Sequence, residues 1–233
     1  MIKLLSLADV VSLTNAGFGF LAIIMASLGE IWFSFSFILI ALLADGLDGI
    51  VARKTGHSEL GDYMEAMADM ISLGIAPSIF VYTIYHNAVL CCIYYHTYLL
   101  ITLIVFLSLS IIRLASFNIM KDRKFFVGLP ASTSAIIIIT MAFFEIELIY
   151  ILPVIIIISL AMISNVHFPK PGLKIDAIAA ILIILTLIFG KYYYGMPLYL
   201  ILGENYYGIT PLLLIATLVA YTLLGPFYLL KSK

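Results

Sequence analysis

Charge is scarce in this sequence. Only 11% of its 233 residues are Asp, Glu, Lys or Arg, against 64% hydrophobic residues. A water-soluble domain of this length needs more charged surface than so few ionisable groups can cover, so a soluble globular protein is excluded. Neither sign dominates. Twelve basic and 13 acidic residues leave a formal net charge of −1, which excludes nucleic-acid binding through a basic face. Cysteine is confined to the adjacent pair Cys91 and Cys92. Sequence neighbours rarely bridge and no third cysteine offers a partner, so a disulfide framework is excluded and both read as packing residues. No cleavage site follows the first apolar run, which therefore reads as an uncleaved span rather than a signal peptide. There is no internal repeat of the kind that builds a two-halved transporter, and no linker or soluble domain.

Long apolar runs recur along the whole chain. They predict an all-α, polytopic transmembrane helix bundle of about eight spans, near 10–28, 31–52, 63–85, 90–117, 128–144, 148–163, 175–190 and 209–230. Short connections make sequence neighbours antiparallel, and residues 1–233 read as one transmembrane domain. Lys3, Arg53, Lys54, Lys121, Arg123, Lys124, Lys170, Lys174, Lys231 and Lys233 fall at one set of span ends. The opposite ends hold Glu30, His86, Glu145, Glu147 and Glu204, with Lys191 alone among the lysines. Positive charge stays on the cytoplasmic side, so both termini are expected inside the cell. Tyr192, Tyr193, Tyr194, Tyr206 and Tyr207 then belong to an outer interfacial belt.

Against this apolar background four carboxylates stand out. Asp45 and Asp48, three residues apart, share a face near the end of the second span. Glu65 and Asp69, four apart, share a face near the start of the third. The short loop between the spans makes these helices antiparallel neighbours, so the two acidic faces can meet at similar depth. Carboxylates at membrane depth are costly, and four converging ones repel one another unless cations lie between them. All-oxygen donors select magnesium, manganese or calcium, and a two-ion site suits phosphoryl displacement on a phosphorylated, lipid-linked substrate.

The surrounding residues fit that chemistry. Gly46 and Gly49 remove side chains beside the acids, either leaving room for a nucleotide or phosphate against the backbone or permitting close helix packing. Ala52 keeps the same face open. Arg53, one turn beyond Gly49, can hold a phosphate in a bidentate fork. His57 lies in the following loop, facing either a headgroup or solvent. Asn15, polar amid apolar neighbours, either meets the nucleotide or hydrogen-bonds between helices. Arg113, near the cytoplasmic end of the fourth span, either binds an anionic group or snorkels to the interface. Lys121 to Lys124 read as a positive-inside anchor.

The run DGLDGIVARKTGHSELGDYMEAMAD resembles the signature of the CDP-alcohol phosphotransferases, D-x-x-D-G-x-x-A-R followed by G-x-x-x-D-x-x-x-D. Asp45, Asp48, Gly49, Ala52, Arg53, Gly61 and Asp69 match it, and Glu65 stands where the family has its third aspartate. Other segments resemble the phosphatidylserine synthase branch: ADVVSLTNAGFGFLA with Thr14, Asn15 and Gly19; DMISLGIAPS with Ser72, Gly74 and Pro77; RLASFN from Arg113 to Asn118; GLP from Gly128; and AMISN from Ala161. The resemblance covers about residues 8–169. Ser116 departs from it, the family tending to carry Arg there.

What the resemblance implies is specific. Asp45, Asp48, Glu65 and Asp69 hold two divalent ions, magnesium, manganese or calcium in kind, over the pyrophosphate of a CDP-linked lipid. Gly46, Gly49, Ala52, Arg53, Gly61 and Asn15 line the nucleotide and phosphate side. Asp69 is also the general base for the hydroxyl of serine, with Arg113 and Asn118 on the acceptor side. CMP is the leaving group, and the protein is a homodimer in the cell membrane with its site facing the cytoplasm. Two alternatives remain open: a phosphotransferase using glycerol phosphate or inositol phosphate, whose extra phosphate needs a further basic pocket, and a cation transporter using the same intramembrane acids.

Overall fold

The computed structural model describes residues 6–55, 58, 60–89, 93–117, 125–169, 173–189 and 216–217, without the side chains of 49, 50, 52–55, 117, 173–176 and 189. Its first element, α1 (Leu7–Ser27), opens with a reciprocal cap. The Ser6 hydroxyl accepts from the Asp9 amide, and the Asp9 carboxylate accepts from the Ser6 amide at 2.7 Å. Two of the otherwise orphaned amides of a helix start are thereby satisfied. The helix stops at Gly29, whose φ of +79° suits glycine. Glu30 N–H donates to Met25 O and Gly29 N–H to Ala26 O, both at 2.9 Å, the paired bonds of a Schellman turn. α2 (Ile31–Thr55) returns antiparallel along α1, and buried Ser34 donates to Ala22 O at 2.8 Å across the pair.

The third rod is one continuous helical run, Gly61–Val89, of three parts: α3 (Gly61–Asp69), a π-helical turn (Met70–Ile75) and α4 (Ala76–Val89). The third expected span, 63–85, falls inside this run. Pro77 supplies a reason for the π turn: it has no N–H to donate and its ring crowds the carbonyl four residues back, at Leu73. A widened turn just upstream relieves both. α5 (Ile93–Phe117) follows, then α6 (Ala131–Phe143), α7 (Leu148–Met162) and α8 (Leu173–Phe189).

Among the described residues, four helical stretches can cross a membrane by length and composition: α1, Ile31–Asp48 of α2, Gly61–Val89 and Ile93–Ser116. Helices occupy seven of the eight expected spans with ends shifted by up to four residues. α6 has 13 residues and α7 has 15. At ~1.5 Å per residue both fall short of a ~30 Å hydrocarbon core. The expected eighth span lies outside the described residues except for helical Ala216 and Thr217.

Among the described residues, one short strand pair interrupts the helices. β1 (Phe125–Val127) pairs antiparallel with β2 (His167–Pro169), Phe126 opposite Phe168, and so ties the α5–α6 connection to the α7–α8 connection. Gly128 follows with φ +78°, its N–H donating to Val166 O at 2.8 Å, and Leu129 N–H donates to Ala161 O at 3.0 Å. That turn, with Pro130 as N-cap, explains why α6 starts at Ala131 rather than 128. The core is apolar and aromatic. Phe35, Phe80 and Phe143 are fully buried, and Phe35 stacks on Phe143 with centroids 4.4 Å apart. This cluster ties α2, α4 and α6 together at the end of the bundle away from the acids.

Candidate active site

The site sits where the start of α1, the second half of α2 and α3 meet, since α1 packs on α2, α3 and the π turn. Asp45, Asp48 and Glu65 each present a carboxylate oxygen, and the three oxygens lie within 4.8 Å of one another. The expected convergence of the two acidic faces is therefore what the rods produce. Asp69, 8% exposed, lies within hydrogen-bonding reach of Asp45. The donor set is carboxylate oxygen throughout, the chemistry that magnesium, manganese and calcium favour. No lysine or arginine is needed inside the cluster for a divalent cation to fit it.

α1 supports the acids from behind. Ser12 Oγ donates to Asp48 Oδ2 at 2.9 Å, and Asn15 Nδ2 donates to Asp69 Oδ1 at 2.9 Å. Of the two roles open for Asn15, the structure makes the interhelical bond. Buried Asp9 stands beside Gly61: a Cβ on Gly61 would fall 3.3 Å from Asp9 Oδ1 and 3.5 Å from Ser58 Oγ. Gly61 thus admits the capped start of α1 against the start of α3.

Asp45, Glu65 and Asp69 open onto a cleft whose empty space, open solvent included, is about 690 Å³. Asp45, Asp62, Glu65, Asp69 and Arg113 line it, facing a wall of Phe126, Pro130 and Ser132. Arg113 is 6% exposed and donates from Nε to Leu129 O at 3.2 Å. It is therefore a buried side chain of the cleft and not a snorkelling one. Beside Gly46 a Cβ would meet nothing within 4 Å among the described residues, so helix packing does not account for that glycine and the space next to Asp45 is open. Gly49, Ala52 and Arg53 belong to the backbone of α2, but the side-chain positions of 49, 52 and 53 lie outside the described residues, as do Asn118 and His57 altogether.

Sequence reasoning missed Asp9, Ser12 and the wall formed by 126–132. Asp9, Ser12 and Asn15 do carry a signal: polar residues every third position along an apolar helix mark one face turned toward a neighbour. The wall's Pro130 lies in the GLP segment, but no local pattern tells that this segment faces the acids, because that depends on which distant segment closes the cleft.

Comparison with known proteins agrees with this geometry. The chain is 34% identical over 176 residues to CDP-diacylglycerol–serine O-phosphatidyltransferase of Methanocaldococcus jannaschii, covering 74% of this chain and 78% of the relative. It is 34% identical over 174 residues to archaetidylserine synthase of Methanothermobacter thermautotrophicus, covering 71% and 70%. A CDP-diacylglycerol–serine O-phosphatidyltransferase of Saccharomyces cerevisiae is 29% identical over 161 residues, covering 61% and 55%. Residues 5–165, from the start of α1 to just beyond α7, match the CDP-alcohol phosphatidyltransferase family, and with two-thirds of its length inside that match the chain belongs to this family of enzymes.

Proposed function

We propose that the protein transfers a phosphatidyl-type group from a CDP-linked lipid, CDP-diacylglycerol or an ether analogue, to L-serine and releases CMP. The observation that carries this reading is the meeting of Asp45, Asp48 and Glu65 within 4.8 Å beside a cleft that Asp45, Glu65, Asp69 and Arg113 line. The serine comes from the relatives, a CDP-diacylglycerol–serine O-phosphatidyltransferase and an archaetidylserine synthase among them.

In this reading Asp45, Asp48, Glu65 and Asp69 would hold two divalent ions, which when bound neutralise the pyrophosphate and the charge that develops during transfer. The open space beside Gly46, with Gly49, Ala52 and Gly61, takes the nucleotide end. Asp69 accepts the proton of the serine hydroxyl. The serine oxygen bonds to the lipid-side phosphorus while the bond from that phosphorus to the CMP oxygen breaks, and CMP leaves with the electron pair against Arg53. A base so placed contributes about 10²–10⁴-fold. Positioning and electrostatic stabilisation supply the rest of phosphoryl transfer. Arg113 holds an anionic group, the serine carboxylate or a substrate phosphate, and Asn118 belongs to the same acceptor side.

The site opens to the cytoplasm of a multi-pass protein of the cell membrane, in keeping with Arg53 and Lys54 in the last turn of α2, where the acids lie. The protein works as a homodimer, which the mass of the detergent-solubilised particle would check.

The test is CMP release by purified protein from CDP-diacylglycerol, with serine, glycerol phosphate or inositol phosphate as acceptor, with and without chelator. Serine-dependent, chelator-sensitive release is expected. Release that depends on glycerol phosphate and ignores serine removes the serine assignment.

A further inference from the structure

The reading above uses Asp69 but leaves three features around it without a purpose: the Asn15 amide on its carboxylate, the missing side chain at Gly19, and the π turn that begins one residue later. They form a single contact. Asn15 and Gly19 are four apart, one turn of α1, and Asp69 and Ser72 are three apart on the facing rod. α1 therefore meets the third rod at two successive rungs. At the first, Asn15, fully buried, donates to Asp69 Oδ1 at 2.9 Å. At the second, a Cβ on Gly19 would fall 2.8 Å from Ser72 Cα and 3.0 Å from both Ser72 N and Ser72 Cβ. Two of these obstructing atoms belong to the main chain of the π turn, so no side-chain rotation relieves them. A π turn is wider than an α turn and occurs often at functional sites. Its extra girth has to be accommodated by a neighbour, and Gly19 is where α1 makes room.

We infer that Gly19 and Asn15 are positioning residues for Asp69. Gly19 lets α1 dock at main-chain distance on the π turn, and that docking sets the Asn15 amide against Asp69 Oδ1, leaving the other carboxylate oxygen for the cleft. Neither residue touches substrate. Two roles for Asn15 differ in what they change. A positioning residue alters turnover at constant affinity, whereas a nucleotide contact alters the KM for the CDP-lipid.

The turnover readout rests on the function proposed above, so the experiment includes manganese binding followed by EPR without substrates. Gly17 supplies the control, because a Cβ there meets nothing within 4 Å among the described residues. The variants are Gly19→Ala, Gly17→Ala, Asn15→Ala and the double variant Asn15→Ala/Gly19→Ala. A misplacement of about 1 Å costs a rate of about 10²-fold, and that is the fall in kcat expected for Gly19→Ala, with both KM values within about twofold of wild type. Manganese affinity should drop about tenfold, as for loss of a residue that orients a ligand. Gly17→Ala should match wild type in both respects. Asn15→Ala adds no bulk and should also lower kcat at constant KM. The double variant should be no slower than Gly19→Ala, because both changes act through one bond.

Identical behaviour of Gly19→Ala and Gly17→Ala overturns the inference. So does a raised KM for CDP-lipid in Asn15→Ala, or multiplicative losses in the double variant. Should Gly19→Ala fail to fold, the split between kcat and KM in Asn15→Ala decides. If the wild type binds manganese but releases no CMP with any acceptor, the proposed function fails, and the manganese comparison still decides the positioning role.

Discussion

Replacing Gly128 with alanine tests how the wall of the cleft is held. Gly128 has φ +78°, where an L-residue costs about 1–2 kcal/mol. The new Cβ would also fall 2.2 Å from Met162 O and 3.0 Å from Met162 C. These are main-chain atoms at the end of α7, where Ala161 O already accepts from Leu129 N–H, so the overlap relaxes only by shifting backbone. Overpacking of that kind adds about 1–3 kcal/mol, for a total of about 2–5 kcal/mol. Gly29 is the internal reference: its φ is +79°, but a Cβ there meets nothing within 4 Å among the described residues. Gly29→Ala should therefore cost only the backbone part, about 1–2 kcal/mol. Unfolding can be followed by fluorescence in mixed micelles, because Trp32, the chain's one tryptophan, packs on Phe35 at 6.1 Å and Phe143 at 6.0 Å. A functional arm runs alongside. Leu129 O accepts from Arg113 Nε, so a shift of 128–130 should raise the acceptor KM in Gly128→Ala and leave it unchanged in Gly29→Ala. Equal destabilisation by the two variants would refute the reasoning, since it would mean that the Met162 contact imposes nothing.

Asp69→Asn should lower kcat about 10²–10⁴-fold while CDP still binds, and unimpaired turnover would contradict the assignment of Asp69 as base. Glu65→Asp keeps the charge and shortens the arm by one methylene, so chelator-sensitive CMP release should persist; Glu65→Gln removes the charge and should weaken manganese binding at least about tenfold. Silence of both wild type and Glu65→Asp in the CMP assay would identify a catalytically inactive relative. Ser12→Ala deletes the 2.9 Å bond to Asp48. A hydrogen bond to a charged group is worth about 1.5–3 kcal/mol, so this variant should unfold earlier and bind manganese more weakly, and calorimetric titration showing wild-type affinity would remove Ser12 from the support of the site.

The bond from Ser12 to Asp48 also shows why α1 belongs to the site although it contributes no carboxylate to the cluster. A buried carboxylate with no donor is costly in an apolar bundle. Asp48 and Asp69 each draw one side-chain donor from α1. The acids that face the cleft most directly, Asp45 and Glu65, are the less buried ones. The cluster is thus supported on one side and open on the other, the arrangement that a cation arriving from solvent requires.

Much of this protein was readable from the order of its residues. Scarce charge and long apolar runs placed the helices, because the cost of burying backbone in a membrane leaves the helix as the local solution. Spacings of three and four placed Asp45 with Asp48 and Glu65 with Asp69 on single faces, because an α-helix repeats every 3.6 residues. Gly29 ends α1 for an equally local reason. Periodicity names a face but not the neighbour it meets, and there the structure decided. That Asn15 turns to Asp69, that Arg113 is held by Leu129, and that Phe126, Pro130 and Ser132 wall the cleft all depend on contacts between segments far apart in the chain. The three-residue strands β1 and β2 are too short for an alternating pattern to register, and the π turn differs from an α turn only in a hydrogen-bond register that tertiary packing selects. Local physical chemistry therefore determined the rods and their polar faces. The site itself was assembled by the way the rods dock, since main-chain approaches as close as Gly19 to Ser72 form only in the packed molecule.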